Sequence, residues 1–158
     1  LGGGHGTLPS LYEAAQVGDG AQGYLVVGWD VVGGVLALDN GGLGRPGQVC
    51  YYAPDALQWE DLGLGYAEFV QWVLSGGLAL LAEDLRWDGW REKTESLALD
   101  EGYLVEPSLW AAGHRETDEA SRRRVPVTDL LARQHRAAGT PSASRRHHAG
   151  LTTRFTHR

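Results

Sequence analysis

The chain has a single cysteine, no methionine and no long apolar run. One cysteine cannot form an internal disulfide, and Cys50 lies in the apolar stretch VCYY, so we expect a buried, inert thiol in a reducing compartment. No run approaches the ~20 apolar residues that span a bilayer, and no basic segment precedes a short apolar stretch. These absences predict a cytoplasmic protein, neither secreted nor bound to a membrane.

Motifs that carry known chemistry are also missing. The glycines from Gly18 to Gly23 have the G-x-G-x-x-G spacing of dinucleotide-binding loops, but a predicted strand follows them where a helix is required. The sequence has no G-x-S-x-G elbow and no G-K-[ST] phosphate loop. Of the six histidines only His5 and His114 precede residue 134, and neither has a local ligand partner for zinc. We therefore assign no catalytic residue, no cofactor and no metal site, which favours a protein that is not an enzyme.

Charge is distributed unevenly along the chain. All 20 Asp and Glu lie before residue 130, whereas five of the 14 Lys and Arg lie after residue 133. Residues 1–133 therefore carry 20 acidic and nine basic side chains, a net charge of −11, and residues 134–158 carry +5. Nucleic-acid binding begins with the neutralisation of phosphates, so an acidic body disfavours it. The charge favours a basic protein partner.

Three runs rich in β-branched and aromatic residues follow one another at short spacing. They extend over Tyr24–Trp29, Val32–Asp39 and Gln48–Ala53. The breaks between them, around Asp30–Gly34 and in Asn40–Gly47, are rich in residues that favour turns. The sequence Asp-Asn-Gly at 39–41 lacks the alternating acids of a calcium loop, so we interpret it as a turn. A three-stranded antiparallel meander is predicted.

The periodicity changes after the third strand. Residues 65–75 place apolar side chains at i, i+3, i+4, i+7 and i+8, which predicts an amphipathic helix with a buried stripe of Tyr66, Phe69, Val70, Val73 and Leu74. Gly76 and Gly77 are expected to end this helix. Further elements are predicted as a helix within 78–85, a helix over Trp90–Leu97, a strand over Tyr103–Glu106 and a helix over Val125–Arg133.

This pattern predicts an α+β fold in which an antiparallel β-meander packs against amphipathic helices. We expect residues 1–133 to form a single globular domain. Residues 134–158 contain no acid and one aromatic residue, Phe155, so they are predicted to be a disordered basic tail. The chain begins at Leu1 and not at Met, so native residues are expected upstream of it.

One cluster of side chains has functional potential, because Asp55, Glu60 and Asp61 surround Trp59 in the sequence. Paired carboxylates beside an aromatic ring can carry out acid/base chemistry, hold a sugar or contact a protein partner. The structural alternative is that Trp59 packs on the sheet, that the acids face water and that Asp61 caps the next helix.

Six tryptophans are many for 158 residues, and most are expected in the core. Trp87 and Trp90 are three residues apart, so they would share a helix face and could form an exposed interaction patch. Together with the acidic cluster, they complete the candidate partner-binding residues, which are Asp55, Trp59, Glu60, Asp61, Trp87 and Trp90.

Four blocks, LGGGH (1–5), GYLVVGWDVVGGVLALDNGG (23–42), GQVCYYAPDALQWEDLGLGYAEF (47–69) and LRWDGWRE (85–92), together resemble a bacterial family known only as a domain of unknown function. The resemblance covers residues 1–133, and it implies an additional N-terminal segment. Strands followed by a Tyr-x-x-Phe helix are also similar to the SUKH superfamily of α+β proteins. Many of those are immunity proteins that neutralise toxins by binding. Neither resemblance implies catalytic residues.

Three functions are compatible with these observations. The leading hypothesis is a non-catalytic acidic binding module that engages a basic protein, which the SUKH resemblance implies to be a toxin domain. The alternative is a small hydrolase or carbohydrate-binding protein that uses Asp55, Trp59, Glu60 and Asp61. A structural subunit without a ligand is the third. A deep pocket converging on Trp59 would favour the second hypothesis over the first.

Overall fold

The computed structural model describes residues 23–81, 86–111 and 121–139. The glycine-rich start, His5, His114 and the predicted tail beyond residue 139 lie outside these ranges. In chain order the elements are β1 Tyr24–Trp29, β2 Val35–Asp39, β3 Gln48–Ala53, β4 Gln58–Gly65, α1 Tyr66–Leu74, α2 Leu78–Leu81, α3 Trp90–Glu95, β5 Glu101–Glu106, β6 Ser121–Pro126 and α4 Val127–Gly139. The predicted α+β class is confirmed.

The first four strands form one antiparallel sheet in the order β1-β2-β3-β4. The three predicted strands are present, but β2 begins at Val35 and not at Val32. The reason is the carboxylate of Asp30, whose Oδ1 accepts hydrogen bonds from the backbone N–H groups of Val32 and Gly34 at 2.9 and 2.8 Å and closes the reversal. β4 is absent from the sequence-based prediction, because a bulge interrupts the period of two in its pairing with β3.

The two faces of this sheet are covered by different helices. Adjacent residues of a strand point to opposite faces. On one face, Tyr51 belongs to an apolar cluster with Phe69 of α1. On the other face, Tyr52 packs against a cluster that contains Val127 and Leu131 of α4. The sheet is therefore the middle layer between α1 and α4.

The helix α1 confirms the predicted amphipathic helix but not its predicted buried stripe. Phe69 is buried and Val73 packs beside it, whereas Tyr66, Val70 and Leu74 are exposed. β4 passes directly into α1 at Gly65, so the strand fixes the rotation of the helix and turns Phe69 toward the sheet. The glycines end the helix as predicted, with the N–H groups of Gly76 and Gly77 donating to the carbonyls of Val73 and Trp72 at 3.0 and 2.9 Å.

The strands β5 and β6 form a separate two-stranded antiparallel sheet, here called the ribbon. The predicted strand over Tyr103–Glu106 is confirmed and begins two residues earlier, at Glu101. The N–H of Tyr103 donates to the carbonyl of Val31 at 2.6 Å, which joins the ribbon to the turn between β1 and β2. The helix predicted over Trp90–Leu97 is α3, which ends at Glu95.

The last helix, α4, differs from the predicted helix at both ends. Val125 and Pro126 belong to β6, so α4 begins at Val127 and continues to Gly139. Gln134 is buried, and its Nε2 donates to the carbonyl of Val32 at 3.2 Å. Packing therefore extends the folded chain six residues beyond the predicted boundary at residue 133.

Candidate functional site

The acidic cluster around Trp59 is divided between the two faces of the sheet. Trp59 lies opposite Tyr52 and packs against the α4 side, with ring centroids 5.2 Å from Tyr24 and 5.4 Å from Tyr52. Glu60, the next residue of β4, lies opposite Tyr51 on the α1 side. The structure does not bring Trp59 and Glu60 together, so they do not form the aromatic and carboxylate pair that would hold a sugar.

On the α1 side, three carboxylates lie around the hydroxyl of Tyr51. This hydroxyl donates to Oδ2 of Asp30 at 2.6 Å. Burial raises the pKa of Tyr51 well above its ordinary value, and the negative charges of Asp30, Asp55 and Glu60 raise the pKa further. Tyr51 therefore stays protonated and acts as a hydrogen-bond donor that joins β3 to the turn between β1 and β2.

Asp55 and Glu60 are the two predicted site residues that the structure brings together. Burial raises the pKa of Glu60 above its ordinary value of 4.5, and the negative charge of Asp55 raises the pKa further. A half-buried carboxyl group with a raised pKa is suited to proton transfer. Asp30 and Tyr51 complete the cluster. Sequence reasoning missed them because Tyr51 meets Asp30 through the pairing of β2 with β3 and meets Glu60 through the pairing of β3 with the unpredicted β4.

Asp61 lies apart from this carboxylate cluster. Its Oδ2 is 3.2 Å from Nε of Arg45, and its Oδ1 accepts a hydrogen bond from the N–H of Gly63 at 2.8 Å. The prediction that Asp61 caps the next helix is wrong, because its carboxylate accepts a hydrogen bond from Gly63 in the bulge of β4 instead. Glu68 acts at that helix start instead, and its Oε2 accepts from the N–H of Gly65 at 3.0 Å.

The sequence Asp-Asn-Gly at 39–41 forms a turn, as predicted, and Asp39 organises the loop that follows. This buried carboxylate accepts hydrogen bonds from the N–H groups of Gly41 and Leu43 at 2.8 and 2.9 Å, and from that of Arg45. Burial alone would raise the pKa of Asp39, but these backbone donors outweigh it and lower the pKa. Cys50 nearby is buried, and burial, with the charges of Asp61 and Asp39, raises its pKa to about 11.

Trp87 and Trp90 do not share a helix face, contrary to the prediction. α3 begins only at Trp90, after Gly89 with a φ of 71°, so Trp87 lies in the turn before it. Trp87 is half-buried and meets the ring of Tyr103 edge-on at 5.4 Å. The guanidinium of Arg122 lies 4.8 Å from the ring of Trp87, and Trp87 packs against the apolar cluster of Val32 and Val105.

A row of exposed apolar side chains lies on the outer side of α1 and α2. Tyr66, Val70 and Leu74 are spaced four residues apart and therefore follow one line along α1. The exposed fractions of Tyr66 and Leu74 are 45% and 82%. We define the α1 surface as the exposed side chains of Tyr66, Val70, Leu74, Leu78 and Leu80.

The chain segment that forms the α1 surface is acidic. Residues 46–81 contain four acids and no Lys or Arg, and Arg45, just before this segment, pairs with Asp61. Two of these acids, Asp61 and Glu68, are exposed residues next to or within α1. The α1 surface is therefore apolar at its centre and acidic around it. The four acids are Asp55, Glu60, Asp61 and Glu68.

Two further properties concern only the described ranges. No group of three or more His, Cys, Asp and Glu within them is placed to hold a metal ion. Of the helices in the same ranges, none has the length and apolar character needed to cross a bilayer.

Comparison with known proteins places the chain in a family. The family described as "Protein of unknown function DUF2625" matches residues 1–130, most of the chain. The chain belongs to this family. That membership confirms the predicted bacterial family of unknown function, and the DUF2625 match includes β1 to β4, α1 and the ribbon strands.

Two curated relatives match part of the chain. The uncharacterized protein YbfG of Escherichia coli (strain K12) is 42% identical over 113 residues, which are 70% of this chain and 50% of YbfG. An uncharacterized protein of Haemophilus influenzae (strain ATCC 51907 / DSM 11121 / KW20 / Rd) is 32% identical over 105 residues, 66% of this chain and 46% of the relative. The chain spans about half the length of the curated relatives it matches. No solved structure matches it significantly.

Replacing Glu60 by Gln is expected to increase the stability of the fold more at pH 7 than at pH 4. The pKa of Glu60 is raised in the folded state, so its contribution to stability is present below the unfolded pKa and is lost as the pH rises through the folded pKa. Glutamine does not titrate, so the Glu60→Gln variant does not lose stability in this way as the pH rises. Thermal unfolding of both proteins between pH 4 and pH 7 measures the difference.

The variant Asp55→Asn provides the matched control for this pH dependence. Because Asp55 raises the pKa of Glu60, removing its charge should reduce the effect of Glu60→Gln at pH 7. A Tm difference between Glu60→Gln and the native protein that does not change with pH would contradict the electrostatic account of this cluster.

Proposed function

We propose that this chain is a non-catalytic binding module that engages a basic protein partner through the α1 surface. The observation that carries the proposal is the row formed by Tyr66, Val70 and Leu74, which stays exposed on a helix with one face already buried on the sheet. Contiguous exposed apolar patches mark protein interaction sites more often than isolated apolar residues do.

Charge supports a basic partner over a neutral one. Removal of the α1 surface from water on binding is favourable at ~25 cal/mol per Å² of apolar area. Acidic residues around an apolar centre add electrostatic complementarity, which raises the association rate and suppresses wrong partners. Glu68 lies within α1 and Asp61 lies in β4 near the start of α1, whereas Glu60 and Asp55 lie further from α1 along the chain, in β4 and in the turn before it.

The proposal changes the roles of the predicted partner-binding residues. Asp61 and Glu60 keep a place at the edge of the interface. Trp59 stabilises the sheet by packing on Tyr24 and Tyr52. Trp87 and Trp90 lie beside arginine side chains and are not part of the proposed interface.

A basic toxin domain in the cytoplasm is the partner class that the similarity to the SUKH superfamily implies, and it has the required chemistry. The alternative function, a small hydrolase or carbohydrate-binding protein, has less support from the geometry. The carboxyl pair of Asp55 and Glu60 would be available to such a site, but Trp59 lies on the opposite face of the sheet. Turnover of a small substrate that is lost in Glu60→Gln would favour that alternative.

The double variant Val70→Ser and Leu74→Ser is expected to lose its protein partner. The native chain and the variant are each immobilised and exposed to extract of the source cell. The protein that the native chain captures is then identified and purified. Truncation of central apolar contacts should weaken its binding at least about tenfold, equivalent to ~1.4 kcal/mol. Titration calorimetry with the purified partner measures the change.

The matched control is the double variant Leu25→Ser and Leu99→Ser. Both leucines are exposed, 55% and 73%, and neither belongs to the α1 surface. Their replacement should leave the affinity within about twofold. Association should also slow between 0.1 and 1 M salt, where the Debye length falls from ~10 to ~3 Å. Equal losses in both double variants, or an affinity insensitive to salt, would refute the proposal.

A further inference from the structure

A second surface of the chain carries the opposite charge. α3 and β6 lie side by side, because the hydroxyl of Tyr103 in β5 donates to the carbonyl of Lys93 at 3.0 Å and Arg124 in β6 donates to the carbonyl of Ser96 at 3.3 Å. Residues 86–96 and 121–126 together contain six cations and three acids, in a chain with a net charge of −6. Arg123 lies opposite Leu104, which packs toward α4, so it points to the other face of the ribbon from Arg122 and Arg124. We define the arginine surface by the other five cations, Arg86, Arg91, Lys93, Arg122 and Arg124.

Three of these cations make no ion pair with any residue in the described ranges. These are Arg86, Arg91 and Lys93, although Asp88, Glu92 and Glu95 are on the same segment. By contrast, Arg45 and Arg133 elsewhere on the molecule pair with Asp61 and Glu106. The positive charge of the arginine surface is therefore largely available to an incoming anion.

Tryptophan rings hold three of the guanidinium groups in place. Arg86 and Arg91 lie 4.5 and 5.4 Å from the ring of Trp90, and Arg122 lies 4.8 Å from the ring of Trp87. Each distance is within the range of cation–π attraction. A guanidinium that stacks on a ring has less side-chain freedom to lose on binding, and its planar edge remains able to pair with a carboxylate through two parallel hydrogen bonds.

We propose that the arginine surface binds an acidic segment of a polypeptide. The excess of arginine over lysine, four to one, matches carboxylate recognition through paired N–H donors. A long nucleic acid fits less well, because a polyanion that extends beyond these few cations meets the acidic remainder of the body. This surface is distinct from the α1 surface, so the inference does not depend on the function proposed above.

The test uses a fluorescently labelled octaglutamate peptide, titrated with the full chain and followed by anisotropy. We expect saturable binding that weakens as salt is raised above about 0.1 M. The double variant Arg91→Ser and Arg124→Ser should bind at least about tenfold more weakly. The control Arg45→Ser removes one arginine from the loop after β2 and should bind like the native chain.

A single-stranded DNA octamer completes the experiment, and it should bind more weakly than octaglutamate. Circular dichroism of each variant checks that the fold is intact, and Arg91→Ser alone, a change at an exposed residue, replaces the double variant if it is not. Absence of octaglutamate binding, equal binding by the arginine variants, or tighter binding of the DNA would overturn the proposal.

Discussion

Phe69→Ala is expected to lower the free energy of unfolding by about 3–5 kcal/mol. Phe69 is 7% exposed and is the buried residue of α1 in the apolar cluster on the sheet. Its ring lies 6.2 Å from that of Trp72, so truncation removes an aromatic contact as well as leaving a cavity. Urea unfolding, analysed with an unchanged m value, measures the loss.

Leu74→Ala on the same helix is the control for this result. Leu74 is 82% exposed, so its truncation should change stability by no more than about 0.5 kcal/mol. Both residues belong to the apolar stripe predicted from the sequence, and only their contacts distinguish them. Similar losses for the two variants would contradict the orientation of α1 on the sheet.

Gly34→Ala is expected to destabilise the fold by about 2–4 kcal/mol through overpacking and a lost hydrogen bond. A Cβ at this buried position would collide with Oδ2 of Asp30 and with the hydroxyl of Tyr51. Those two atoms form the hydrogen bond that joins β3 to the turn between β1 and β2. The methyl group would therefore have to displace one of them from a buried site.

The variant Gly41→Ala is the control that distinguishes the effect of crowding around the new methyl group from the effect of backbone strain. Gly41 has a φ of 106°, but no atom of the described residues lies within 4 Å of the position that its Cβ would take. Its replacement therefore costs only the backbone strain of about 1 kcal/mol. Thermal unfolding of both variants should rank Gly34→Ala as clearly the more damaging. The reverse order would show that the contact of Gly34 with Asp30 and Tyr51 is misassigned.

The sequence is sufficient to predict those elements whose signals are local. β1 and β3 were predicted at their observed bounds, because their β-branched and aromatic residues lie between clear turn signals. β4 lacks such a signal. Its polar pair Glu60 and Asp61 and its bulge at Gly63 disrupt the alternation, and pairing with β3 alone makes it a strand.

Helix orientation and side-chain grouping depend on contacts that the sequence does not contain. Periodicity predicts α1 but assigns its exposed apolar row to the core, because a helix with apolar residues on two sides does not specify which side meets the sheet. The carboxylate cluster and the arginine surface were missed for a related reason. Glu60 reaches Tyr51, and Arg122 reaches Trp87, only through tertiary packing.

The most direct test of the central claim is hydrogen exchange of the chain with and without its purified partner. We predict slower exchange of the backbone amides across residues 66–81, which form the α1 surface, and unchanged exchange in β1. Native-state exchange reports local protection element by element, so it locates the interface without any mutation. Protection confined to other elements, with residues 66–81 unaffected, would contradict the account.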